Sequence, residues 1–395
     1  MEMAGLARCM LCFSLVGIAA CENRSTITVG VTQLSPAAAE IDSGFTYISS
    51  VRELADGRVL ISDPREERLV VADFQTARLS DIGRKGHGPN EWSHAVALHP
   101  LAGDSSLQMD FVARRWLTFH RDRIVGSRPS DDALVVNTIG RARATDTLGH
   151  VLAIQRPLTQ QAGVSHIGER DSVAVVLYSR QEWRADTVGK LRDAPATIHS
   201  VRSEDGRIQD VFASRPALAV AEDAALFLDG WIAFARLDPY RVDWRSPDGK
   251  FSLGSALPVA VVVMDERERA GYLERAEKQF ADPEGHMPPK MREAIQRRFT
   301  DLPPTVPPFG PFSLLAGADG NLYIRRTPTA DSPEPRYDVI DRTGNLVQRL
   351  QLAIGERIAA IGASHLYVVW KDENEVERLR KHVIPAGQQA VPRNP

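Results

Sequence analysis

From about residue 40 onward the apolar residues come in short runs bounded by Gly, Asp, Pro and Ser, the spacing of β-strands rather than of helices. A turn signal recurs just ahead of these runs. Asp56-Gly57 precedes Arg58 to Ser62, Asp229-Gly230 precedes Trp231 to Ala235, and Asp319-Gly320 precedes Asn321 to Arg325. Looser copies stand at Gly103-Asp104, Leu148-Gly149 and Ala363-Ser364. A second apolar strand closing on a polar turn follows, as in Leu69 to Phe74, Tyr240 to Gly249 and Tyr337 to Gly344.

Two hairpins per unit make a four-stranded antiparallel sheet, and units of roughly 45 residues match one propeller blade. The predicted fold is all-β, a six-bladed β-propeller over 42–385, with units at 42–92, 93–130, 131–200, 201–262, 309–353 and 354–385. A β-sandwich would use the same alternation but does not predict a sustained repeat of this length. The last unit is one strand short, and Thr26–Val31 offers a spare strand whose pairing there would seal the ring and remove exposed edges.

A helical insertion interrupts the pattern between the fourth and fifth units, over 265–299. Asp265 with Glu268 resembles a capping box, and Tyr272, Leu273, Ala276 and Phe280 share a face. Pro288 opens a second stretch carrying Met291, Ile295 and Phe299, and the prolines from Pro303 to Pro308 end it. The charged outer face reads as solvated surface, with a lid over the ring as the alternative.

Composition narrows the partners. Of 395 residues, 43% are hydrophobic and 25% charged, and 48 Lys and Arg against 51 Asp and Glu give a net charge of -3. Such a chain folds as a globular protein and lacks the basic excess that releases counterions from nucleic acid, so no nucleic-acid partner is expected.

The cysteines give an address. Cys9, Cys12 and Cys21 are the only ones, so cysteine catalysis, disulfides and thiolate metal sites are ruled out beyond residue 21. The apolar run from Cys9 to Ala20 follows Arg8 and is too short to span a bilayer as a helix, which is the pattern of a signal peptide over 1–20. Ile18-Ala19-Ala20-Cys21 resembles the bacterial lipobox, and that resemblance implies that Cys21 carries the lipid and anchors an exported chain at the periplasmic or cell-surface side of a membrane. A secretory signal cut after Ala20, or a misassigned start, is the alternative. Residues 21–41 read as a tether containing the closing strand, and 386–395 as a disordered tail.

The segment from Gly83 to Trp92 reads Gly-Arg-Lys-Gly-His-Gly-Pro-Asn-Glu-Trp. With it, the chain resembles the bacterial six-bladed propellers of the NHL/TolB-like kind, in which such a loop follows the first blade. The resemblance covers most of 42–385 and implies an exported, often lipid-anchored protein without an assigned reaction. Read from the residues, the glycines suit a crowded crossover between blades. Gly86, His87 and Gly88 beside Arg84 and Lys85 could alternatively cradle an anion.

No catalytic constellation stands out. His87, His94 and His99 lack metal-ligand spacing, and no nucleophile elbow, P-loop or dinucleotide fingerprint sits in a strand-to-helix setting. Asp63, Asp73, Asp110, Asp243 and Asp341 read as repeated turn residues. Trp92, Trp116, Trp183, Trp231, Trp244 and Trp370 read as core between blades. No metal or cofactor is therefore expected. The function expected is a binding or protein-interaction scaffold at the cell envelope, serving an unidentified small molecule or envelope protein. Arg84, Lys85, His87, Glu91, Arg325 and Lys371 are the candidate ligand-binding residues. A metal-dependent propeller hydrolase of the lactonase kind, with calcium in the channel, is the alternative. Cys21→Ser should move the protein from membrane to soluble fractions on cell fractionation, and unchanged retention would reject the anchor.

Overall fold

A computed structural model describes residues 29–386 apart from 89, 95–96, 111–112, 130–142, 156–157, 162–163, 168–171, 183, 195, 203–207, 280–288 and 301. Cys9, Cys12, Cys21, the signal peptide, Trp183, Phe280, Pro288 and 387–395 of the tail lie outside the described residues.

Six antiparallel sheets of the predicted meander type stand in the order of the sequence. Blade 1 runs from Ser50 to Asp81, blade 2 from His99 to Pro129 and blade 3 from Ala144 to Arg192. Blade 4 runs from Asp223 to Ser252, blade 5 from Leu314 to Gln351 and blade 6 from Arg357 to Val383. The six turn signals all fall between the first and second strands of a blade. Gly57, Gly103, Gly149, Gly230 and Gly320 have φ from 59° to 86°, a region that strains residues with a Cβ. Each blade is apolar on both faces, so it must be sandwiched. Six hydrophobic clusters fill the six seams between neighbours.

The seam between blades 6 and 1 shows how the ring closes. The outer strand of blade 6 is Ala39–Phe45, antiparallel to Glu377–Val383, with Ile41 opposite Leu379. The end-to-end closure expected from the sequence is present, but through a later segment. Residues 26–28 of the expected Thr26–Val31 strand lie outside the described residues, and Val31–Gln33 adds a fifth strand, parallel, outside Leu346–Gln351 of blade 5. The physical reason is burial. Ile41 and Phe45 are 0% and 3% exposed in the closing seam, whereas Val31 remains 46% exposed.

Two unit boundaries also differ from the sequence reading. Residues 42–45 belong to blade 6 rather than blade 1. Ala196–Arg202 and Ile208–Ser214 leave blades 3 and 4 altogether. They join Leu158–Gln161 and Val164–Ile167 in a separate four-stranded sheet, which emerges where the second and third strands of blade 3 meet.

Connectivity gives the ring two unlike faces. Turns between first and second strands, and between third and fourth, open on the lower face. Crossovers between blades open on the upper face with the second-to-third turns, the extra sheet and the insertion. Helix α1 (Glu266–Gln279) begins with Asp265 accepting the Glu268 N–H at 2.8 Å. The Glu268 carboxylate does not complete the capping box; it accepts the Ala330 N–H at 2.8 Å, from the upper turn of blade 5. Beyond helix α2 (Pro289–Arg297), Arg298 Nε donates to Arg215 O at 3.0 Å. The insertion thus ties blade 5 to the crossover entering blade 4. No helix among the described residues is long and apolar enough to cross a membrane.

Trp92, Trp116 and Trp244 are buried at seams as expected. Trp231 packs edge-on to Trp244, with the blade 5 guanidinium of Arg342 over both rings at 5.0 and 5.7 Å. Trp370, in the second strand of blade 6, is instead half-buried beneath Arg380 at 4.0 Å and donates its indole N–H to Glu40 of the outermost strand at 3.0 Å. Ile41→Ala should lower unfolding free energy by about 2–4 kcal/mol in urea titrations. Val31→Ala should stay within about 0.5 kcal/mol of wild type. The reverse ranking would refute this assignment of the closing strand.

Candidate binding face and axial channel

The crossovers of the upper face are held by buried carboxylates. Asp63, 1% exposed at the end of the second strand of blade 1, accepts Thr46 N–H at 2.8 Å and Tyr47 N–H at 3.2 Å from the crossover entering that blade. Asp110 occupies the matching place in blade 2, accepting Ser93 N–H and Arg115 Nε, each at 3.1 Å. Glu377 accepts Ile48 N–H at 2.6 Å and Arg357 Nη2 at 2.8 Å. Asp338 receives Arg326 at 2.8 Å, Arg349 at 3.2 Å and the Tyr240 hydroxyl at 3.0 Å. Burial, with Asp338 beside it, pushes the Tyr240 hydroxyl well above its ordinary range. Burial would raise the Asp243 carboxyl, yet the Arg241 and Arg236 guanidinium groups hold it below the usual range.

Turn chemistry therefore accounts for only part of the carboxylate set. Asp73 and Asp341 do cap the turns after third strands, accepting Gln75 N–H at 2.8 Å and Thr343 N–H at 2.9 Å. Asp63 and Asp110 do the same after their second strands, accepting Arg65 N–H at 3.1 Å and Ala113 N–H at 3.3 Å, and bind the crossovers as well; Asp243 binds Arg236, Arg241 and the Gly254 N–H instead.

The glycine-rich loop is the crossover from blade 1 to blade 2. Its apparent anion cradle is filled from within. Gly88 N–H donates to Glu91 Oε2 at 2.8 Å, Gly86 N–H donates to Trp92 O at 2.9 Å, and Arg84 Nε binds Glu91 Oε1 at 2.7 Å. Gly88 first, then Arg84, keeps the Glu91 carboxyl below its usual range. A Cβ on Gly86 would stand 2.1 Å from Glu91 Oε2, so the glycine is required by the chain's own carboxylate. His87 Nδ1 lies 3.1 Å from Ser93 Oγ, and Lys85 pairs with Glu67. Arg115 reaches across from blade 2 to Gly88 O and Glu91 O, at 3.1 and 2.7 Å.

The other two candidates lie elsewhere. Arg325 ends the second strand of blade 5, where its N–H donates to Ser313 O at 2.9 Å. Lys371 ends the second strand of blade 6 and binds Glu375 at 2.6 Å. Four of the six share the one crossover between blades 1 and 2, and Arg325 and Lys371 lie apart on blades 5 and 6, so the full set does not meet at one point.

What does converge is the axial channel, a cavity of about 720 Å³ bordered by the innermost strands of all six blades. Ala and Leu are the commonest residues of its wall, and its charged groups are engaged with the protein. Arg52 donates to Ser106 Oγ and to the carbonyls of Ser105 and Gly103. Glu53 accepts the Tyr367 hydroxyl at 2.7 Å, and Asp104 accepts Ala55 N–H at 2.8 Å and Arg121 Nε at 3.0 Å. At the upper mouth, Arg143 Nη2 binds Asp223 Oδ1 at 3.1 Å, and Asp223 Oδ2 accepts Phe312 N–H at 3.0 Å. The Arg143 guanidinium lies 3.9 Å from the Phe312 ring centroid.

Arg143, Asp223 and Phe312 were not among the sequence candidates. They precede or begin the innermost strands of three blades, so chain order separates what the ring brings together. The one available signal was position, at the entry to each predicted inner strand. Among the described residues, no three His, Cys, Asp or Glu side chains converge as a metal site.

Burial in the channel wall pushes the His99 imidazole down to about 4. Between that value and the ordinary 6.5 the unfolded chain binds the proton and the folded one does not. Stability should therefore fall as pH drops from about 6.5 to about 4, and His99→Gln should flatten this slope by up to about 1.4 kcal/mol per pH unit. Urea unfolding of both proteins across that range measures the difference, and equal slopes would contradict the burial of a neutral imidazole.

No family model matches the chain, and neither does any curated protein. Among solved structures, a Bacteroides fragilis NCTC 9343 protein named as exported aligns at 10% identity and TM-score 0.44, over 90% of this chain and 95% of that one. Regucalcin from Agrobacterium tumefaciens C58, named as a calcium-binding protein, aligns at 10% identity and TM-score 0.37, over 91% and 99%. A streptogramin B lyase aligns at 10% identity and TM-score 0.34, over 89% and 88%. The likenesses are to architecture; the chemistry of this chain rests on its own residues.

Proposed function

We propose that this chain is an exported, lipid-anchored propeller of the NHL/TolB-like kind that acts as a binding and protein-interaction scaffold at the cell envelope. The lipobox-like Ile18-Ala19-Ala20-Cys21 and the glycine-rich loop support the address and the kinship. The observation that carries the scaffold reading is the character of the crossovers. Tyr47, Val220, Val261, Val263, Phe312 and Ile354 all lie in connections between blades, and are 40%, 39%, 77%, 64%, 75% and 73% exposed. Rigid sheets thus present more large apolar side chains on the upper face than on the lower, where Leu148, Leu228 and Val383 are 67%, 37% and 54% exposed, and a face so lined has the composition of a surface that is covered in use.

The anchor suits this face. The described chain begins along the outer edge of blades 5 and 6, where Val31–Gln33 and Ala39–Phe45 are the outermost strands. Ten residues from Cys21 to Val31 reach at most roughly 3.3–3.6 Å each, so a lipid on Cys21 would hold the ring by its rim.

A photo-crosslinking residue placed at Tyr47 or Ile354 in the envelope should capture a partner, while the same residue at Leu148, 67% exposed on the lower face, should not. Equal capture from both faces, or none from the upper, would defeat the reading.

A further inference from the structure

The axial channel has features that a partner face does not require. Its volume of about 720 Å³ falls within the range of small-molecule sites, roughly 300–1,000 Å³. The wall is built from small and apolar side chains. Leu101, Ala144, Leu314, Ala316, Ala359 and Ala360 are all half-buried on the channel-lining strands and turns. Leucine or phenylalanine at the alanine positions would narrow the bore, so alanine keeps it open.

The charged side chains along the wall are turned to protein partners, as set out above for Arg52, Glu53, Asp104, Arg143 and Asp223. A charged molecule would enter without a counter-charge already dedicated to it, and burial of an uncompensated ion is strongly unfavourable. The innermost strands are also sheet edges, and alternate residues on an edge turn backbone N–H and C=O groups away from the sheet. Those groups suit carbonyl, amide or hydroxyl functions on an otherwise apolar molecule.

The upper mouth is marked by Phe312. Its ring is 75% exposed although it borders the cavity, and its φ is 61°, an unfavourable region for a bulky side chain. The Asp223 carboxylate holds this conformation through the Phe312 N–H, and the Arg143 guanidinium lies against the ring. Backbone strain maintained by a buried acid to present an exposed aromatic ring at a cavity mouth is the geometry of a contact residue.

We propose that the axial channel is a binding site for an uncharged, largely apolar small molecule, received at the upper mouth by Phe312. The site shares Phe312 with the partner face, but its bore is lined by Ala144 and Ala316, which that face does not use, so substitutions there test the channel alone.

The test uses the full chain carrying Cys9→Ser, Cys12→Ser and Cys21→Ser, with the uncharged fluorophore N-phenyl-1-naphthylamine as probe. Fluorescence should saturate at one probe per chain. Ala316→Phe and Ala144→Phe should each weaken binding by roughly tenfold or more, and Phe312→Ala by about threefold, with unchanged thermal midpoints. Should a filled variant not fold, Ala316→Cys provides the sole thiol, and the probe should slow its maleimide labelling by about fivefold or more. Non-saturating fluorescence, equal affinity in folded filled variants, or a labelling rate indifferent to the probe would overturn the site.

Discussion

The upper face depends on a single kind of interaction, a buried carboxylate accepting hydrogen bonds from the chain that crosses between blades. A crossover leaves one sheet and enters the next, so its backbone N–H groups cannot join either ladder. Asp63, Asp110 and Glu377 receive such groups at the entrances to their blades or to neighbouring ones, and Asp338 gathers arginines that reach the next segment. Each acid is nearly removed from solvent, where an ionic hydrogen bond is stronger than its exposed counterpart and an unpaired partner is far less tolerable. The loops are consequently anchored from below, and their exposed apolar residues project from a fixed base.

Much of the ring could be read from residue order. Turns such as Asp56-Gly57 and Asp319-Gly320 mark the same hairpin in successive blades because positive φ is a local requirement that glycine meets directly. The closing strand was less legible. Ala39–Phe45 contains Glu40, Asp42, Ser43 and Gly44, a poor strand by composition, and acquires its structure from the partner strand and the seam around Ile41 and Phe45. Thr26–Val31 has the better alternation, yet Val31 at its end stays 46% exposed. The extra sheet beside blade 3 was hidden for a related reason, since its strands continue the alternation of the blade and leave no break in period.

The candidate site divides along the same line. The glycine-rich loop was visible as a motif, yet its chemistry turned inward, because Glu91 lies close enough to occupy the N–H groups that an anion would use. The channel mouth was invisible as a motif, since Arg143, Asp223 and Phe312 meet only once the blades are arranged about an axis. Local sequence reports turns well; it reports radial convergence poorly. The resulting molecule has two separable surfaces, a set of crossovers with exposed apolar side chains and an enclosed bore whose ionic groups are internally compensated.

The use of the amino-terminal strand to complete blade 6 has a kinetic corollary. Glu40 of the closing strand and Arg380 are bonded across 340 positions of chain, so one of the first strands to be synthesised must wait for nearly the last. Until then Ile41 and the flank of blade 1 have no cover, and a half-made ring is a sticky object with two raw edges. A polypeptide of this design gains from being kept extended until synthesis is finished, so that both ends arrive together and the circle locks in one late step.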